Sequence, residues 1–320
     1  MLRRILVGAA APVLAIVMAM LITVVILLLA GNSVSGFMTT IFSLPAPRNV
    51  VNIINNSSVL YLSALAAAIG FRMNLFNIGV EGQYRVAVFA AAAFAGQGWL
   101  PGPLNVVVAV LIAIVSGAAW AAIAGLLKVT RGVSEVISTI MLNAIAVSLT
   151  AYLLRKWGGI VGNSIQTKQL PQDSWVPGIP LIPGAPNEVL GLAVVAVLAG
   201  VGYAVLLNRS RFGFELRATG ASATAAVASG IDVRRMVVIS MIISGGIAAL
   251  VGLPLLFGDT HAYGTTFQSG LGFAGIAVAL LGRNNPVGIA FGSLLFAFLV
   301  EQSSLLEICL LYTSPSPRDS

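Results

Sequence analysis

Stretches of about 20 mostly apolar residues, the length that crosses a bilayer as a helix, recur along this whole chain. They occupy 5–30, 50–70, 78–97, 103–127, 135–154, 189–207, 236–257 and 286–304, with a shorter run at 270–282. Inside hydrocarbon every backbone N–H and C=O must be satisfied by the protein itself, so runs this long and continuous select helices. The expected fold class is therefore all-α, a polytopic membrane protein of about nine spans. Charged residues make up 8% of the 320, against about 25% in a soluble domain.

The breakers fall between these runs: Pro45 and Pro47, Pro101 and Pro103, and a loop with Pro171, Pro177, Pro180, Pro183 and Pro186. Arg3 and Arg4 precede an apolar run to Ala30, which is too long for a signal-peptide core of roughly 7–15 residues and reads as a first span. With the N-terminus cytoplasmic, the inside segments hold Arg3, Arg4, Arg72, Lys128, Arg131, Arg209, Arg211, Arg217, Arg234, Arg235 and Arg283. The outside segments hold Arg48, Arg155, Lys156 and Lys168. That asymmetry obeys the positive-inside rule. The net charge of +7 is thus spread between spans and serves orientation, and no nucleic-acid partner is expected. Nine spans starting inside finish outside, so a tenth, returning span is expected beyond them. After Leu306 the sequence EICLLYTSPSPRDS abandons the apolar pattern. Residues 1–306 accordingly read as the membrane domain and 307–320 as a truncation or junction tail. The single cysteine, Cys309, excludes an internal disulfide.

Polar residues inside such spans are costly and point to function or to packing. Asn74, Asn77, Glu81 and Arg85 fall on one stripe if the segment is helical. Glu81 and Arg85, four apart, either form a neutralised pair that packs two helices or wall a solute path. Glu135, Thr139 and Asn143 form a second stripe at i, i+4, i+8, for interhelical hydrogen bonds or for the same path. Ser240, Ser244, Ala248 and Gly252 repeat every four residues, and Gly270, Gly272, Ala274, Gly275 and Ala277 follow in the same spirit, giving seams for close helix approach. The 270–282 run is short for a span and reads as a half-helix or a tilted one. His261, the only histidine, stands beside Asp259 and has too few ligands around it for a metal site. No G-x-x-x-x-G-K-[ST] phosphate loop occurs.

The sizeable inside loop is 208–235. Its centre, Ala221 to Ser229, is alanine-rich and reads as a short helix. Gly230 stands where its C-terminus needs a cap, and Asp232 stands at the N-cap of the next span. The external Pro-rich loop is 155–188, either a linker or a contact surface.

Four segments carry a resemblance: FNIGVEGQ at 76–83, GVSEVISTIMLN at 132–143, RFGFELRATGASATAAVASGI at 211–231 and GFAGIAVALLGRNNPVGI at 272–289. Together they resemble the permease subunits of bacterial ATP-binding-cassette importers of the branched-chain amino acid, ribose and nucleoside type, most closely the nucleoside and simple-sugar branch. The resemblance implies a ten-span subunit of vitamin-B12-transporter-like architecture in the bacterial plasma membrane, surrounded by lipid. It implies pairing with a second homologous permease, two cytoplasmic ABC ATPase domains and an extracytoplasmic solute-binding protein. It implies no cofactor on this chain, with ATP used by the partner. Arg217, Gly220, Ala225, Ala226 and Gly230 are then the candidates for coupling to the ATPase. Asn74, Asn77, Glu81, Arg85, Glu135, Thr139 and Asn143 are the candidates for the solute path. An ion-coupled secondary transporter of a small polar solute is the alternative, with Glu81 and Glu301 as its intramembrane carboxylates. An intramembrane enzyme is not expected, for want of a nucleophile and base.

Overall fold

The computed structural model describes residues 34–313 together with Leu14, 17–18, 20–29 and Gly31. The expectations placed on Arg3, Arg4, the first part of the 5–30 run and 314–320 lie outside the described residues. The chain divides into two compact units, one of 1–46 with 298–320 and one of 47–297. In the smaller unit lie α1 (Met20–Leu29) and α2 (Val34–Phe42). Here Gln302 Nε2 donates to the Ser43 carbonyl at 3.4 Å. Helix α2 falls in a gap between expected spans, because its nine residues are too few to register as one.

The larger unit contains α3 (Pro47–Phe71), α4 (Val80–Ala95), α5 (Gly102–Arg131) and α6 (Glu135–Trp157). After a hairpin come α7 (Ala193–Arg209), α8 (Arg211–Ala221), α9 (Ala223–Ala228) and α10 (Val233–Ala248). A short turn, α11 (Leu253–Leu255), and a π-turn at Leu256–Thr260 prolong α10. Then α12 (Leu271–Leu281) precedes α13 (Pro286–Thr313), whose residues from Phe298 onward belong to the smaller unit. Among the described residues five helices are long and apolar enough to cross a membrane, and a sixth span results if α7 and α8, bent by 72°, count as one. The protein is a helical, multi-pass membrane protein.

Helix α3 runs through the core, buried almost continuously from Ser57 to Phe71. Its neighbours approach on small residues, as they must where lipid gives no hydrophobic drive to association. Helix α5 buries Ala109, Ala113, Gly117, Ala121, Ala124 and Gly125 on one face and leaves Val107, Leu111 and Val115 exposed on another. Gly117 meets Gly245 of α10 so closely that a Cβ on either would overlap the other's backbone carbonyl. The expected seam of α10 is present: Ser240, Ser244 and Ala248 are fully buried. It faces α3 and the residues after it, with Ser244 Oγ donating to the Ala66 carbonyl at 2.6 Å and Ser240 Oγ to Met73 Sδ at 3.4 Å.

The 155–188 loop carries more structure than its composition suggests. Gly159–Val161 (β1) pairs antiparallel with Ser164–Gln166 (β2) across a turn at Gly162, whose φ is +59°. Glycine adopts that left-handed conformation without the Cβ penalty. Gln166 also bridges to Gly264, and Ile179 to Val189.

Candidate functional site

Chain geometry changes at Phe71. The stripe that spacing suggested for Asn74, Asn77, Glu81 and Arg85 is not formed, because the chain is not helical between Phe71 and Val80. Asn74 sits at φ +57°, a conformation that asparagine tolerates better than most residues and that ends a helix. Asn74 is exposed and donates from Nδ2 to the Gly220 carbonyl at 2.7 Å. Asn77 is fully buried and closes a polar knot. Its Oδ1 accepts from Gly79 N (3.0 Å) and Gln83 Nε2 (2.9 Å), and its Nδ2 lies 3.0 Å from Gln83 Oε1 and 2.7 Å from Ser244 Oγ.

Glu81 and Arg85 do form the expected pair on α4, with Arg85 Nε 2.8 Å from Glu81 Oε1. The carboxylate does more than pair. Its Oε1 also accepts from Gly270 N, and its Oε2 from Gly272 N, each at 2.9 Å. The Tyr84 hydroxyl lies 2.9 Å from Oε1 and 3.0 Å from the Gln268 carbonyl and donates to one at a time. Glu81, 4% exposed, thus caps the N-terminus of α12.

The physical reason lies in the length of α12. Eleven residues span about 16 Å at 1.5 Å each, roughly half of a 30 Å hydrocarbon core. A helix that short leaves its first N–H groups unpaired at depth, and a carboxylate there answers both the donors and the helix dipole. Arg85 supplies the countercharge. Two glycines make the approach possible. Gly270 takes φ +84° as the N-cap, and a Cβ on Gly272 would run into the Glu81 backbone. Ser63 of α3 fixes the same turn from another side, donating to the Leu271 carbonyl at 2.8 Å.

The second stripe is real and faces α4. Glu135, Thr139 and Asn143 are all buried on α6. Asn143 Oδ1 accepts from Gly82 N at 2.8 Å, and its Nδ2 donates to the Ile78 carbonyl at 2.9 Å. Thr139 Oγ1 turns back to the Glu135 carbonyl at 2.7 Å, and Glu135 pairs with Lys128. Asn77, Glu81 and Asn143 therefore converge on the first turn of α4 and the residues before it. Gln83 and Tyr84 belong to the same cluster and escape sequence reasoning, while Ser244, Gly270 and Gly272, expected only as seams for helix approach, join it as hydrogen-bonding partners. Glycines beside the start of a short apolar run were the available signal.

The coupling candidates separate. Helix α9 forms where expected, capped by Ser222 Oγ on Ala225 N at 3.3 Å. It closes at Gly230 with φ +82°, Ile231 N reaching back to the Ala226 carbonyl at 3.0 Å. Asp232 Oδ1 caps α10 through Arg235 N at 3.0 Å. Ala226, however, is buried against its own chain at 3% exposure. Ala225, Val227 and Ala228 point outward. Arg217 donates to the Leu207 carbonyl, and a Cβ on Gly220 would overlap the Arg72 carbonyl, so both face inward. The segment from 211 to 221, expected as plain loop, is helix α8, started by Ser210 Oγ on Gly213 N at 3.0 Å.

His261 stacks on Trp175, ring centroids 3.8 Å apart and 4° from parallel. Burial holds its imidazole pKa below the ordinary value, with Asp259 opposing that shift.

Residues 49–313 match the family described as the branched-chain amino acid transport system / permease component. Among similar proteins is a nucleoside ABC transporter permease protein of Lactococcus lactis subsp. cremoris, 31% identical over 90% of this chain and 82% of its own length. A guanosine ABC transporter permease protein of Bacillus subtilis is 35% identical over 90% of this chain and 83% of its own. A glucose ABC transporter permease protein of Haloferax volcanii is 32% identical over 78% and 67%. On this match and these likenesses the chain, a transport component rather than an enzyme, belongs to the family of branched-chain amino acid transport system permease components.

Proposed function

We propose that this chain is the membrane subunit of an ATP-driven importer whose solute is a nucleoside. The observation that carries the reading is likeness over 90% of the chain to permeases named for nucleosides and for guanosine, at 31% and 35% identity. In this reading the subunit has the vitamin-B12-transporter-like, ten-span architecture with a cytoplasmic N-terminus, and 1–306 form its permease domain. It works beside a second permease, in lipid. ATP is bound and hydrolysed by a cytoplasmic ABC ATPase, and solute arrives on an extracytoplasmic binding protein that meets the 155–188 hairpin region. The outward residues of α9, Ala225 and Ala228, enter a groove on the ATPase, while Arg217, Gly220, Ala226 and Gly230 hold that helix on the permease.

Asn77, Glu81, Thr139 and Asn143 hydrogen-bond to the chain's own groups and build the wall of the path. Arg85, whose side chain keeps 17% exposure, is the group of this set left to meet solute. An ion-coupled mechanism would draw on Glu81 and Glu301, and both oxygens of Glu81 already accept hydrogen bonds.

Reconstitution of the subunit with its ATPase, second permease and binding protein in liposomes tests the proposal. Labelled guanosine should accumulate only with ATP and all partners present. Uptake driven by an ion gradient through this chain alone, or ATP-driven uptake of amino acids and not nucleosides, would overturn it.

A further inference from the structure

Helix α12 is held at both ends from a single short stretch of chain. Glu81 takes its N-terminus, as described. At the other end two successive left-handed residues, Arg283 (φ +52°) and Asn284 (φ +55°), make the turn into α13. The Asn284 carbonyl accepts from Arg72 Nε at 3.1 Å, from Arg72 Nη2 at 2.8 Å and from the Tyr203 hydroxyl at 3.0 Å. Arg72 and Glu81 flank the non-helical break between α3 and α4. The same break reaches toward α8. Asn74 donates to the Gly220 carbonyl, and Gly220 lies hard against the Arg72 carbonyl. The end of α8, the break and both ends of α12 thus meet on residues 72–81.

A carbonyl fixed by a two-pronged guanidinium is a strong, oriented contact, since charge-assisted bonds are roughly twice as strong as neutral ones. Between the residues that make these contacts, Met73, Leu75 and Asn77 are buried and anchor the break in the core. Coupling between distant sites is carried by packed side chains, hydrogen-bond networks and rigid elements that link them, and this stretch supplies such a link.

We propose that residues 72–81 form a rigid lever between α8 and α12, with Arg72 as its positioning residue. Displacement of α8 is carried to both ends of α12 at once. The proposal rests on the importer reading, in which α8 and α9 lie on the ATPase side.

The test uses the assembled importer, spin-labelled at Ala221 and Arg283 and, as a reference, at Ala221 and Ile137, nucleotide-free and trapped with ATP. The Ala221–Arg283 distance should be the same in both states while Ala221–Ile137 changes. In Arg72→Gln the first distance should become state-dependent. Solute moved per ATP hydrolysed should fall about tenfold with ATPase binding retained, the scale of one lost charged hydrogen bond. Arg72→Lys should recover part of the ratio. Should Arg72→Gln fail to assemble, Asn74→Ala, which removes one exposed contact, carries the same expectation of a state-dependent distance.

A wild-type Ala221–Arg283 distance that changes between states, a reference distance that never changes, or an unaltered ratio in Arg72→Gln would overturn the lever. A wild-type complex that hydrolyses ATP with the expected distances but moves no nucleoside would refute only the substrate assignment.

Discussion

The Glu81 carboxylate lies 2.9 Å from the amide of Gly272, at the one turn of α12 where a side chain on the glycine would strike the Glu81 backbone. A charge in a span and a glycine in a short apolar run, which look unrelated in sequence, are two halves of one cap. Gly272→Ala should force α4 and α12 apart and destabilise the protein by about 1–3 kcal/mol, the range for overpacking. Gly202 on α7 has open space where its Cβ would stand. Gly202→Ala should be neutral or stabilise by about 0.4–1 kcal/mol through the unfolded chain. Unfolding midpoints of the two purified variants compare them directly, and equal effects would count against the close approach.

Glu81 and Arg85 should not behave as a simple exchangeable pair. Removing one partner of a buried ion pair costs about 3–5 kcal/mol. Because Gly270 and Gly272 still need an acceptor, adding Arg85→Leu to Glu81→Ala should not restore what Glu81→Ala loses. Arg85→Leu alone should cost less than Glu81→Ala alone. A double-mutant cycle on stability checks this, and full rescue in the double variant would reduce the cluster to the pair alone.

Ala226, a candidate for coupling to the ATPase, is buried at 3% exposure while its neighbours Ala225 and Ala228 point outward. Ala226→Trp should damage folding itself, since the residue packs on its own chain. Ala225→Trp and Ala228→Trp should leave membrane insertion and stability intact and abolish ATPase binding. Pull-down of the ATPase with each variant, alongside its yield of folded protein, separates the cases.

The stacked His261 makes a pH-dependent contribution of known sign. Its folded pKa lies below its unfolded value of about 6.5, so the unfolded chain binds the proton more readily. The contribution is present above the unfolded pKa and is lost as pH falls through the lowered folded value. Asn accepts the left-handed backbone at this position. Between about pH 8 and pH 5, spanning the histidine range, the wild type should lose more of its unfolding midpoint than His261→Asn. Parallel curves would mean the ring is as well solvated as in the open chain.

Much of the fold was legible because hydropathy alone dictates it. The ranges of α3 to α7, α10 and α12 follow from apolar runs and the prolines between them, as does the start of α13, which runs on to Thr313 past the 286–304 run. The Gly230 and Asp232 caps were readable because capping depends on neighbours in sequence. The break at 72–79 was not, because RMNLFNIG has the polarity of a helix stripe and nothing local announces that Asn74 turns left-handed. The partners of Glu81 were hidden for a different reason. They lie near residue 270, and spacing reports only contacts within one helix. The 159–166 hairpin did carry a local signal in Gly162-Asn163, masked by the prolines around it.

Glu81 acts as the cap of a half-helix rather than as a ligand for solute, and the unfolding midpoint of the purified protein carrying Glu81→Gln tests that most directly. The amide keeps one acceptor oxygen but loses the charge that two N–H groups and Arg85 share, so the midpoint should fall by several degrees, while KM for residual nucleoside uptake by the assembled importer stays unchanged. An unchanged midpoint with a raised KM would contradict the cap and make Glu81 a solute-binding group.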